Sequence, residues 1–347
     1  MYSQQMFSHD SVARPSLNRK ALALVSGGLD SALALYLVKR QGIDLVAVHF
    51  PSFFSPLDAS DPDSPVQRIA RQLEIPLLLK PKGRDFLEIL KKPRFGYGKN
   101  FNPCLDCRIY TFIKARVLLE EVGASFLVTG EVAGQRPMSQ RRDAMRLIDK
   151  KSGCEGIVLR PLSALVLPPT LPELSGIVDR QALLGVAGRG RKTQLALAQE
   201  IGLTGFASPA GGCLLTDKGF AARLRDLLTD RPNPLDEELD LLRVGRHLRL
   251  RPGLKVIVGR NASENSRLQE LGKRGTLFRL MDHPGPTVLV WGSLEAEEES
   301  LIASILNRYA RESSRGGRIA VISASGSVRT IQTNIVAEDS WIAQHLL

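Results

Sequence analysis

The first 160 residues alternate short, mainly apolar runs with stretches of helical spacing. Residues 21–25 (Ala-Leu-Ala-Leu-Val) stop at a glycine pair, and residues 45–50, 76–80, 126–130 and 157–159 repeat the form. Runs this short, without polar alternation, suit strands covered on both faces, as in a parallel sheet. Between them, residues 29–40 carry Leu29, Ala32, Leu33, Leu35, Tyr36 and Val38 at helical spacing. Residues 65–73 and 108–122 also read as helices. This alternation predicts an α/β fold with a doubly wound parallel sheet and right-handed crossovers. Ligands of such sheets bind beyond the carboxyl ends of the strands, where Ser26, Phe50 and Gly130 fall.

The rhythm changes later. Residues 163–228 read as mainly helical and basic, interrupted by Pro168, Pro169, Pro172 and Pro209. Asp230-Arg231-Pro232-Asn233-Pro234 reads as a linker. Residues 243–250 and 255–258 then suggest paired strands around Pro252-Gly253. Further strands are expected at 287–291, 319–323 and 328–335, with a helix at 295–310. The division expected is a disordered tail at 1–18, a nucleotide-binding domain at 19–229, a linker at 230–237 and a second, smaller α+β domain at 238–347. No internal repeat or low-complexity tract interrupts it.

Composition narrows the class. Of 347 residues, 43% are hydrophobic and 24% charged, which is ordinary for a globular protein. The net charge of +11 favours an anionic partner, nucleic acid being the usual one. No apolar run reaches the roughly 18 residues of a membrane span, and no secretory leader is evident, so no membrane association is expected. The four cysteines, Cys104, Cys107, Cys154 and Cys213, are too few for a disulfide framework and suit a reducing cytoplasm.

The glycine pair carries the first chemistry. In Ser26-Gly27-Gly28-Leu29-Asp30-Ser31 the glycines let peptide N–H groups close around phosphate oxygens, and the helix from Leu29 adds its positive end. Ser26 and Ser31 supply hydroxyls. Asp30 beside a phosphate makes sense if Mg²⁺ is bound. The loop lacks a Gly-Lys-Ser/Thr ending and the Gly-x-Gly-x-x-Gly spacing, so it is neither a Walker loop nor a dinucleotide fingerprint. It resembles the PP-loop of ATP pyrophosphatases, which implies a HUP-like fold, ATP binding, adenylation of a substrate oxygen and release of pyrophosphate.

A second block narrows the resemblance. Thr129-Gly130-Glu131-Val132-Ala133-Gly134-Gln135, then Ser139-Gln140 and Leu159-Arg160-Pro161-Leu162, resemble the PP-loop domain of ThiI-type tRNA sulfurtransferases, over residues 20–220. On this reading Gly130 lets the backbone approach adenosine, and Glu131 and Gln135 face the reacting centre or the ribose. A capped helix start is the plainer account of Glu131. The resemblance implies ATP-dependent thiolation of a tRNA uridine, giving 4-thiouridine, with tRNA and a sulfur donor (sulfide or a persulfide carrier) as partners. The family's N-terminal THUMP region and C-terminal rhodanese carrier are expected to be missing.

Cys104-Leu105-Asp106-Cys107 stands at a helix start, and Cys213 ends Pro209-Ala210-Gly211-Gly212-Cys213. Spacing alone offers a metal or redox role. The pattern resembles PP-loop thiolases with a [4Fe-4S] cluster held by three cysteines, here Cys104, Cys107 and Cys213. A persulfide mechanism and structural zinc are the other readings. Cys154 has no partner pattern. Within the resemblance Cys213 and Asp30 are the candidate catalytic residues.

Two basic groups flank these motifs: Arg136, Arg141, Arg142, Arg146, Lys150 and Lys151, and Arg189, Arg191 and Lys192. They suit phosphate contacts that position an RNA, or simply solvated faces. Gly245-Arg246-His247 and Val258-Gly259-Arg260-Asn261-Ala262-Ser263-Glu264-Asn265 resemble the NFACT-R domain, which implies RNA binding by residues 238–335. The alternatives to a tRNA thiolase are another PP-loop adenylating enzyme or amidotransferase, and an RNA-binding module with a nucleotide site.

Overall fold

The structure, a computed structural model, describes residues 17–55, 58–207 and 213–347. Nearly all of the tail expected at 1–18, and residues 209–212 of the glycine turn before Cys213, lie outside the described residues. The chain divides into two compact units, one ending at Leu214 and the other running from Leu215 to Leu347.

The first unit is a five-stranded parallel sheet in the order β3-β2-β1-β4-β5. Its strands are β1 (Lys20–Leu24), β2 (Asp44–His49), β3 (Leu77–Leu79), β4 (Phe126–Thr129) and β5 (Val158–Leu159). β1 lies between β2 and β4, with Leu22 opposite Val46 on one side and Leu127 on the other. That is the topological switch point, where the crossover direction reverses and a crevice opens at the strand ends. The apolar runs are strands because both faces are covered: Ala21, Leu22 and Ala23 are buried, and helix α1 (Leu29–Lys39) packs Leu29, Ala32, Leu33, Leu35 and Val38 into the same core.

Four more helices complete the sheet's cover: α2 (Pro65–Gln72), α3 (Asp85–Lys91), α4 (Cys104–Val122) and α5 (Arg142–Lys151). α4 begins at Cys104, one turn before the helix expected from periodicity, because Pro103 sets its N-cap; Gly123, in the left-handed region, ends it. The expectation of mainly helical structure at 163–228 holds only in part. Pro168, Pro169 and Pro172 confine the stretch to short turns and a one-turn helix before α6 (Lys192–Glu200).

The boundary between units falls before α7 (Lys218–Asp230), not at the proline-rich linker expected at 230–237. Ion pairs explain why. Asp226 accepts from Arg249 at 2.7 Å and Lys255 at 3.0 Å, and Asp230 Oδ1 accepts from the Gly253 N–H at 2.7 Å. These tie α7 to the hairpin of β6 (Arg246–Arg251) and β7 (Leu254–Val258), and α8 (Asp236–Leu241) lies between them in the chain.

The second unit is a six-stranded antiparallel sheet, β11-β10-β8-β9-β7-β6. It includes β8 (Thr276–Leu280), β9 (Thr287–Trp291), β10 (Arg318–Ile322) and β11 (Val328–Gln332). Helix α9 (Ala262–Leu271) and strand β8 carry no clear periodicity in the sequence and appear only in the structure. α10 (Glu299–Tyr309) buries Ile302, Ile305 and Leu306 against Val256, Phe278 and Val288, and α11 (Asp339–His345) adds Ile342. No helix among the described residues is long and apolar enough to cross a membrane.

Candidate active site

β1 delivers the chain to the glycine pair. Gly27 has φ +76, and a Cβ there would lie 3.1 Å from the Val66 nitrogen and 3.2 Å from Pro65 Cβ, so only glycine suits the turn. Gly28 is the extended N-cap of α1. Ser31 Oγ donates to the Gly28 carbonyl at 2.8 Å, the Ser26 N–H donates to Ser31 Oγ at 3.3 Å, and the two hydroxyls are 3.3 Å apart. Two hydroxyls therefore sit together where α1 presents its unpaired N–H groups.

Gly130 has a tighter constraint than the sequence suggests. A Cβ there would lie 2.5 Å from Asp30 C and closer still to Ser31 N. What the missing side chain admits is the protein's own loop. β4 thus braces the first turn of α1. Across this junction Gln135 Nε2 donates to Asp30 Oδ2 at 3.1 Å, while Asp30 Oδ1 is buried with no hydrogen-bond partner. An orphaned carboxylate oxygen is costly unless a cation or donor meets it. Phe50 follows β2, half-buried against the core.

Glu131 does not face an open site. It is buried, its Oε1 accepting from Arg108 Nη2 at 2.6 Å and its Oε2 from Arg160 Nε at 3.0 Å. Arg160 also makes a bidentate pair with Asp149, at 2.9 and 2.7 Å. Burial alone would push the Glu131 carboxyl up; Arg108 and Arg160 outweigh it and hold it below the ordinary value. Arg108 and Arg160 went unassigned in the sequence because their partners are far away along the chain.

The cysteines are all thiols. Cys107 Sγ accepts from Lys82 Nζ at 2.9 Å, an electropositive setting of the kind reactive cysteines occupy. Cys213 Sγ lies 3.8 Å from the Phe54 carbonyl oxygen. Phe54 and Phe86 rings are 6.3 Å apart, and Lys82 Nζ lies 4.7 Å from the Phe86 ring centre. Yet no three His, Cys, Asp or Glu side chains among the described residues come together as a metal-binding group. The set Cys104, Cys107 and Cys213 expected to hold a [4Fe-4S] cluster is not gathered as these thiols are placed. Cys154 is a core residue whose thiol burial pushes up to about 11.

The basic residues order themselves on helices. Arg142, Arg146 and Lys150 recur every four positions along α5 and are exposed. Segments 133–140 and 187–194 meet at Ala133 and Ala187, with Gly188 N–H donating to the Ala133 carbonyl at 2.7 Å. They hold three more side chains with partnerless buried atoms: Gln140 Oε1, Arg191 Nε and both amide atoms of Gln194. Gln194 escaped notice in the sequence. The available signal was a polar residue on the face of α6 that also buries Ala198.

Comparison with known proteins agrees with this division. Residues 17–166 match the family described as thiamine biosynthesis protein (ThiI), and residues 245–345 match the NFACT protein RNA binding domain. A probable tRNA sulfurtransferase of Methanothermobacter thermautotrophicus is 33% identical over 119 residues, covering 33% of this chain and 30% of that protein. The tRNA-specific 2-thiouridylase MnmA of Clostridium acetobutylicum is 31% identical, covering 33% and 36%. A probable tRNA sulfurtransferase of Thermococcus kodakarensis is 30% identical, covering 42% and 37%. The chain thus spans about a third of the length of these relatives. Residues 17–166 are similar to the ThiI family and residues 245–345 to the NFACT RNA binding domain.

Proposed function

We propose that this chain is an ATP-dependent tRNA sulfurtransferase that adenylates a uridine carbonyl oxygen and replaces it with sulfur, giving 4-thiouridine. The observation that carries the reading is the partnerless, buried Asp30 oxygen beside two hydroxyls at a glycine-rich helix start. The loop N–H groups, Ser26 and Ser31 hold the phosphates of ATP. Asp30 fits Mg²⁺, a hard cation that takes oxygen ligands, with Gln135 fixing its second oxygen. When bound, Mg²⁺ offsets phosphate charge.

The uridine O4 attacks the α-phosphorus and the bond to pyrophosphate breaks. A sulfur nucleophile then adds to C4, and the former carbonyl oxygen leaves with AMP. Activation is needed because an unmodified carbonyl oxygen is a very poor leaving group. A persulfide carrier passes its outer sulfur to the Cys213 thiol and leaves as a thiol; the terminal sulfur of the Cys213 persulfide is the nucleophile, and a second thiol then attacks the Cys213 sulfur, freeing the thiocarbonyl and leaving a disulfide that an external thiol reduces. No step is assigned to an iron–sulfur cluster, because the thiols as placed do not gather its ligands. Arg142, Arg146 and Lys150 contact the RNA backbone, and the second unit supplies further RNA contacts.

Two variants test the halves separately. Asp30→Asn is expected to lower pyrophosphate release by about a hundredfold or more while the protein melts as wild type does, since it removes charge at the transferring phosphate. Near-normal release would remove Asp30 from the mechanism. Cys213→Ala is expected to keep tRNA-dependent pyrophosphate release and lose sulfur insertion, measured as 4-thiouridine in the product tRNA. Full thiolation by that variant would exclude Cys213 as the sulfur-bearing residue.

A further inference from the structure

The second unit holds a preformed cleft that begins at the end of the Val258–Asn265 motif, with Ala262 and Asn265, and is otherwise lined by residues outside it. It lies between α9 and the β8–β9 connection, encloses about 220 Å³, and is lined by Ala262, Asn265, Gln269, Arg279, His283 and Pro284 among others. The volume is several times the ~30 Å³ share of one water and below the ~300 Å³ at which drug-sized pockets begin. It is the size for one planar heterocycle.

Its walls are fixed by amides. Asn265 Nδ2 donates to the Gly285 carbonyl at 3.1 Å and Asn265 Oδ1 accepts the Thr287 N–H at 2.9 Å, clamping the connection onto α9. Gln269 Nε2 donates to Thr287 Oγ1 at 3.4 Å, and Gln269 Oε1 accepts from Arg279 Nη1 at 3.0 Å. That bond orients the exposed Arg279 guanidinium and leaves its other N–H groups for a ligand. Pro284 and Pro286 give the cleft rigid apolar surface, and His283 adds an imidazole. An oriented planar cation, an imidazole and a mainly polar lining with two prolines together suit a flat, hydrogen-bonding ring joined to an anion.

We propose that this cleft binds one unpaired ribonucleotide of an RNA strand, its base within the cleft and its phosphate met by Arg279. The inference rests on the RNA-binding reading above and adds a place and a ligand class to it. Unpaired bases are the usual targets of protein stacking and edge recognition, whereas a duplex buries its faces. Charge in the second unit is nearly balanced, so bulk attraction for phosphate is weak there and a discrete site must supply recognition.

The test uses the full chain with two variants that spare the fold: Ala262→Phe, which fills the cleft from an exposed position, and Arg279→Lys, which keeps the charge and loses the planar guanidinium. Binding to a fluorescent single-stranded oligouridylate is expected to weaken about tenfold in each, in line with the loss of one base contact. Binding to a blunt RNA duplex and the melting temperature should stay as in wild type. Photocrosslinks from a 5-iodouridine oligonucleotide should map to residues 283–287. Wild-type oligouridylate affinity in both variants, or an equal loss on the duplex, would overturn the cleft while leaving tRNA thiolation standing. A wild-type chain that binds neither tRNA nor the oligonucleotide would overturn both.

Discussion

Gly130→Ala should reduce tRNA-dependent pyrophosphate release by about a hundredfold, with the protein still folded. The methyl group would lie within 2.6 Å of the Asp30 carbonyl carbon and oxygen and nearer to Ser31 N, all of them backbone. Ordinary carbon contacts are about 3.5–4.0 Å, so the loop must move by roughly 1 Å. A backbone neighbour cannot swing aside as a side-chain end can. A displacement of that size at a reacting centre costs about 10²-fold in rate. The expected stability cost is smaller, about 1–3 kcal/mol, as for other overpacked sites. A steady-state pyrophosphate assay with a thermal melt separates the two effects. A wild-type rate would show that the contact between β4 and the first turn of α1 does not position the loop.

Glu131→Gln should be strongly destabilising to the first unit. It leaves Arg108 and Arg160 around a buried neutral amide, and removing one partner of a buried ion pair costs about 3–5 kcal/mol. Asp149 still pairs with Arg160, which favours the lower end. About 3 kcal/mol corresponds to a melting temperature lower by about 6–12 °C in a unit of this size. The pH dependence supplies a second readout. Burial opposes the charge on Glu131, but Arg108 and Arg160 hold its folded pKa below the ordinary 4.5. The unfolded carboxylate therefore takes up its proton first as pH falls, so this part of the stability is present above pH 4.5 and lost below it. Wild type should lose melting temperature steeply below that point, and Glu131→Gln less so. Parallel curves for the two proteins would refute the ion-pair account.

What the sequence discloses follows from the range of the interactions involved. The strands at 21–25, 45–50 and 126–130 were legible because burial on both faces leaves a mainly apolar run. The loop at Ser26–Ser31 was legible because glycine, hydroxyl and acid residues are needed side by side. Asp30 was legible in type, and the structure adds that one of its oxygens has no protein partner. Gly130, by contrast, disclosed only part of its constraint, since the contact with Asp30 and Ser31 comes from residues a hundred positions earlier in the chain. Glu131 was placed at the reacting centre for the same reason: its partners Arg108 and Arg160 come from separate elements. The domain boundary was misplaced because Asp230 looks like part of a polar linker until its bond to the Gly253 N–H is seen. The three cysteines share a pattern in sequence that the described structure does not gather into one ligand set.

The central claim joins ATP cleavage to sulfur insertion on tRNA. Its most direct test incubates the full chain with unmodified tRNA, Mg²⁺-ATP, a persulfide donor and a thiol reductant, and measures pyrophosphate, AMP and nucleosides by mass spectrometry. The proposed chemistry predicts 4-thiouridine, with one AMP and one pyrophosphate formed per sulfur inserted and none without tRNA. Pyrophosphate released at the same rate without tRNA, or tRNA recovered with no thionucleoside, would contradict it.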